Sequence, residues 1–139
     1  MNVRFPGLLL GALVASAAFS LWHPATAGGQ TKNVLFGDDD QTTTIQCRSN
    51  EVTVSGDDNR LTITGQCTRL TVEGDDNRIT VAAAVEITVS GDDNTISVET
   101  VTRISTTGDD NTITWRKGAG GKSPQISEQG DDNKIRQSN

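Results

Sequence analysis

Paired aspartates are the residues of this chain whose type and spacing could do chemistry. The tetrapeptide Gly-Asp-Asp-Asn recurs at Gly56, Gly74, Gly91, Gly108 and Gly130, and a variant, Gly-Asp-Asp-Asp-Gln, begins at Gly37. Carboxylates in such a file suit a hard divalent cation, which takes several carboxylate and carbonyl oxygens, so Asp57, Asp58, Asp75, Asp76, Asp92, Asp93, Asp109 and Asp110 are candidate calcium ligands. Two carboxylates can also act on a polysaccharide, one as acid and the other as base or nucleophile. That chemistry needs two groups whose environments push their pKa values apart, whereas these aspartates form a uniform row. The third reading needs no ligand: Asp and Asn bond turn backbone through their side chains, glycine suits a turn of positive φ, and the aspartates face water.

The flanks of the corner say what must position it. Two and four places before each glycine stand Val54/Val52, Val72/Leu70, Val89/Ile87, Thr106/Ile104 and Glu128/Ile126. Five and seven places after it stand Leu61/Ile63, Ile79/Val81, Ile96/Val98, Ile113/Trp115 and Ile135/Gln137. Both flanks alternate apolar with polar, the period of a strand with one buried face. The glycines are spaced by 18, 17, 17 and 22 residues, enough for two strands and two turns but too few for a strand-helix-strand unit. Units of that length with the same face inward must stack coil on coil. The expected fold is an all-β, single-domain parallel β-solenoid with two short strands per coil of about 17–18 residues, five to six coils in all, around a two-sheet core of Ile, Val and Leu.

Two further columns support that register. Gln41, Asn59, Asn77, Asn94, Asn111 and Asn133 form an amide file, expected to point inward and to hydrogen-bond from coil to coil. Glu51, Arg69, Glu86 and Arg103 alternate in sign along one outer face, as residues stacked about 4.8 Å apart should. Outward hydroxyls form two ranks, Thr53/Thr71/Thr88/Ser105/Ser127 and Thr62/Thr80/Ser97/Thr114, which suit an exposed pleat and could also order water or meet sugars. The long coil carries an insertion, Lys117 to Ser123, read as a mobile loop, with Trp115 in the inward slot just before it.

The 139 residues allow one domain. Residues 1–27 read as a signal peptide: Arg4, then a mostly apolar run to Leu21, then Ala25-Thr26-Ala27 as a small-x-small cleavage site. Residues 28–139 are then the repeat domain, exported to the periplasm or secreted, with no membrane span after cleavage. Cleavage would remove Arg4, His23 and Met1, leaving 11 basic against 18 acidic residues, a net charge of −7 with no histidine. That composition argues against a histidine triad, a zinc site and nucleic-acid binding. Cys47 and Cys67, each after a glutamine, lie 20 residues apart in the turn opposite the acidic corner. One coil of offset brings them within disulfide reach, and an oxidising compartment favours the bond.

The corner resembles, loosely, the nonapeptides of calcium-binding β-rolls, although the double glycine is missing and only one edge is acidic. The repeated Gly-Asp-Asp-Asn-x-Ile/Leu-x-Val/Ile corners and the two Gln-Cys dipeptides also resemble the exported bacterial proteins of domain-of-unknown-function family 3060, over Val34 to Ile135. That resemblance implies a small secreted or envelope-located β-solenoid and assigns no catalytic residue. The expected function is an exported, non-enzymatic structural or binding module with no cofactor, meeting an envelope or extracellular partner through its acidic edge. A calcium-binding module and a polysaccharide-active enzyme are the alternatives.

Overall fold

The computed structural model describes residues 34–139; the segment read as a signal peptide lies outside the described residues. Nine strands follow in order: β1 (Val34–Phe36), β2 (Thr42–Arg48), β3 (Glu51–Val54), β4 (Arg60–Glu73), β5 (Arg78–Ser90), β6 (Thr95–Thr107), β7 (Thr112–Gly118), β8 (Gln125–Gln129) and β9 (Lys134–Gln137). Every pairing is parallel, which makes the fold a parallel β-solenoid. Val52, Leu70, Ile87, Ile104 and Ile126 stand in one file, and Leu61, Ile79, Ile96, Ile113 and Ile135 in another. Alternation puts one residue in two inward, and a repeat near 17 keeps the same residue inward at each level.

The two strands expected in each coil are continuous in the middle of the stack. β4, β5 and β6 run 14, 13 and 13 residues, because the ladder passes through the second bend without breaking. All nine strands therefore belong to one folded sheet, rather than the two expected. The first long coil is 18 residues instead of 17 because β4 carries a bulge: Ile63 pairs with Val81, and the next matched pair is Gln66 with Ala83. The extra residue is absorbed at Gly65, at φ 79°, where a Cβ would collide with the Cys47 carbonyl.

The core is a column of fully buried aliphatics, among them Val52, Val54, Leu70, Val72, Ile87, Val89, Ile96 and Ile104. Burying each such side chain stabilises by roughly 1.5–3 kcal/mol. The last level ends the column with polarity. Glu128 and Gln137 take inward slots held below by Thr106 and Trp115, β8 is exposed throughout, and Ile126 is 47% exposed. A charge in an inward slot discourages further stacking on that end.

Candidate functional site

Each acidic corner follows a strand and closes a coil, and its four residues have four distinct jobs. The glycine is needed for close approach as well as for its backbone angle. At Gly91, φ is 144° and a Cβ would strike the backbone carbonyl of Gly74 one level below. The left-handed helical angle falls instead on the second aspartate: Asp40, Asp58, Asp76, Asp93, Asp110 and Asp132 all lie at φ 53–56°. Asp tolerates that region better than most side chains, which is why the corner keeps an Asp at this place.

The first aspartate does not simply face water, as the ligand-free reading supposed. Its Oδ1 accepts the backbone N–H of the equivalent aspartate one level on. The chain of contacts runs Asp57 N to Asp39, Asp75 N to Asp57, Asp92 N to Asp75, Asp109 N to Asp92 and Asp131 N to Asp109, at 2.8–2.9 Å. Charge-assisted bonds of this type are short and strong, and they hold carboxylates in a file despite mutual repulsion. In turn the second aspartate donates its backbone N–H to the first aspartate's carbonyl in the next coil, as from Asp76 to Asp92 at 3.2 Å. The side chains of this second file make no hydrogen bond or ion pair among the described residues and are exposed.

Four members of the amide file, Asn59, Asn77, Asn94 and Asn111, are buried, Asn133 is half-buried and Gln41 exposed, and the file joins side chain to backbone rather than side chain to side chain. Asn94 is typical: its Oδ1 accepts the Asn77 N–H at 3.0 Å, and its Nδ2 donates to the Gly74 carbonyl at 2.8 Å. Asn77, Asn111 and Asn133 make the same two contacts. Asn59 makes only one, accepting from the Gln41 N–H at 2.9 Å, and its Nδ2 has no partner. One coil below, Asp38 stands where the other corners have glycine, because Gly37 lies one place early. Gln41 bonds within its own corner, Nε2 to the Asp39 carbonyl at 3.0 Å.

Electrostatics divide the surface. Desolvation, and then the charges of Asp58, Asp93, Asp75 and Asp57, raise the Asp76 carboxyl above its ordinary value. On the face of alternating charge, hydrogen bonds from Arg69 and Arg103 hold Glu86 below the ordinary range, with ion pairs at 3.0 and 3.2 Å. Arg69 also reaches Glu51 at 3.6 Å. Among the described residues no group of three or more His, Cys, Asp or Glu side chains converges on a point where a metal could sit.

The remaining predicted positions lie elsewhere. Cys47 and Cys67 form a disulfide, with Cα atoms 5.1 Å apart, on the bend opposite the corner. The outward rank Thr62/Thr80/Ser97/Thr114 lines a shallow groove of about 410 Å³, bordered by Glu99, Arg116 and the terminal Ser138 and Asn139. Ser97 and Thr114 share a hydrogen bond of 3.1 Å there. The insertion contains one 3-10 turn, Ala119–Gly121. Sequence reasoning missed both the division of labour between the two aspartates and a pocket of about 290 Å³ at the insertion, lined by Trp115, Lys117 and Lys122 among others. The doubling of Asp at every corner was the available signal for the first; nothing in the repeat signals the second.

Among the described residues no helix is long and apolar enough to cross a membrane. No curated protein and no solved structure matches the chain. A family model described as "Protein of unknown function (DUF3060)" matches residues 54–98 and 86–132, two overlapping stretches that together take in the corners from Gly56 to Gly130. Repeated corners on a parallel stack, matched over more than half of its length, make this chain a member of the DUF3060 family.

Proposed function

We propose that this chain is an exported, non-enzymatic module that presents a rank of like carboxylates to a cationic partner in the envelope or outside the cell. The observation that carries the reading is the second-aspartate file. Asp58, Asp76, Asp93 and Asp110 lie at nearly the same φ, are exposed, and have side chains that make no hydrogen bond or ion pair among the described residues, while their neighbours' side chains bond from coil to coil. Carboxylates fixed at the coil spacing of about 4.8 Å form a rigid negative edge that pays little ordering entropy on binding. The disulfide and the apolar leader of residues 1–27 support export, since such bonds persist in oxidising compartments. Uniformity of the row supports binding over catalysis, which calls for two carboxyls in contrasting environments.

The test is a substitution that removes charge and keeps backbone preference. Asp76→Asn, Asp93→Asn and Asp110→Asn together leave Asn, which also tolerates the left-handed region, at each place. Used as bait against an envelope fraction, the native protein should retain a partner that the triple variant releases, with both folding alike. Equal capture by the two proteins would defeat the proposal.

The raised Asp76 carboxyl favours one second reading, a calcium-stabilised form of the same module. Desolvation is the first cause of that rise, and a cation bridging neighbouring levels would offset the part that comes from Asp58, Asp93, Asp75 and Asp57. An ion that binds only the folded chain raises its melting temperature by mass action, so a melt unchanged by millimolar calcium would eliminate this reading.

A further inference from the structure

Five residues separate the 22-residue coil from its 17-residue neighbours, and this insertion roofs a pocket of about 290 Å³. Trp115, Arg116, Lys117, Gly121, Lys122 and Gln137 form its wall. Trp115 belongs to the inward file of Ile63, Val81 and Val98, where every other buried member is aliphatic. It is 7% exposed, and its indole Nε1–H is buried and meets no acceptor. A purely apolar ring would fill the slot without leaving a donor unpaired, so the indole calls for an explanation.

Three cationic side chains, Arg116, Lys117 and Lys122, stand in the wall. Arg116 and Lys117 share Glu99, at 3.4 and 3.8 Å, while Lys122 makes no ion pair among the described residues. Ser123 adds a hydroxyl to the wall, and Gln137 Nε2 donates to the Arg116 carbonyl at 3.0 Å. The tip of the roof faces open space: a Cβ placed on Gly120 or Gly121 would meet nothing within 4 Å. Because the indole nitrogen is buried, a ligand atom would reach it by displacing this roof.

We propose that this pocket binds an oxyanion group, a carboxylate, sulfate or phosphate, with Lys122 Nζ and the Trp115 indole N–H as its donors. Such a group would supply the acceptor that the indole N–H lacks. It would also place a binding function at the longest coil of the repeat, on the opposite side from the acidic corners.

The indole N–H resonance of Trp115 in ¹⁵N-labelled protein, assigned by its loss in Trp115→Phe, reads the site directly. Sodium sulfate, phosphate and glucuronate are titrated separately against sodium chloride at matched ionic strength. At least one should give a saturable shift that chloride does not, with a Kd on the order of 1 mM. In Lys122→Gln that affinity should fall about tenfold or more while the unfolding midpoint stays put, because Lys122 is exposed and unpaired. Whichever anion saturates identifies the chemistry. No saturable shift with any of the three, or equal affinity in Lys122→Gln, overturns the proposal.

Discussion

Replacing Asn94 with leucine tests the corner where it bears most on stability. The side chain is completely buried, and its removal strands two backbone groups at once: the Asn77 N–H loses its acceptor and the Gly74 carbonyl loses its donor. A buried backbone group left without a partner costs about 1–3 kcal/mol. Gly74 is only half-buried, so water recovers part of the loss there, and the sum is roughly 2–4 kcal/mol. That is a large share of the ~5–15 kcal/mol that holds a typical domain together. The molecule contains its own control. Asn59 occupies the same slot, but its Nδ2 is already unpaired and its Oδ1 serves only the N–H of the exposed Gln41. Asn59→Leu strands one solvated group and deletes an unsatisfied buried one, for a cost of ~0–1 kcal/mol. In urea the two midpoints should therefore differ by roughly 1 M, with equal slopes. Shape, volume and propensity change alike in both variants, so equal midpoints would mean that the ladder bonds contribute nothing measurable and that the account of the corner is wrong.

Opening the Cys47–Cys67 bridge frees a 20-residue loop in the unfolded chain, and the serine double variant should lose about 3 kcal/mol in denaturant titration. An unchanged midpoint would show that stacking alone holds those coils in place. Asp76→Asn should raise the melting temperature at neutral pH. The native carboxyl has its folded pKa raised, so its penalty is fully present above that raised value and disappears as pH falls below the ordinary 3.8. The gain should shrink through that window and also in high salt, which screens the neighbouring aspartates. A melting temperature that falls at neutral pH would mean Asp76 makes a contact that this structure does not contain.

The inward slots were legible from alternation alone. Val52, Ile87 and Ile104 could only stack, because a strand hides every second residue and a repeat near 17 brings the same one back. The amide file was equally plain from position, yet its bonding was not. Whether Asn94 meets Asn77 through its side chain or its backbone depends on how far the corner pulls in, and that is set by the contact of Gly91 with Gly74. The two aspartates of each corner look alike as letters. One reaches along the stack to the next level's amide and the other makes no side-chain bond among the described residues, and only the second sits in the left-handed region, a fact of backbone geometry rather than of residue type.

The amino-acid order by itself therefore determined the repeat, the buried face and the vertical files, since each follows from period and residue polarity. Only the tertiary structure decided that the strands run unbroken through the second bend, that a bulge at Gly65 absorbs the odd residue, and that Trp115 keeps an unpaired donor beside a cationic pocket. Periodicity states which residues recur at the same place. It is silent about how closely neighbouring coils approach, and that approach is what assigns each polar atom its partner.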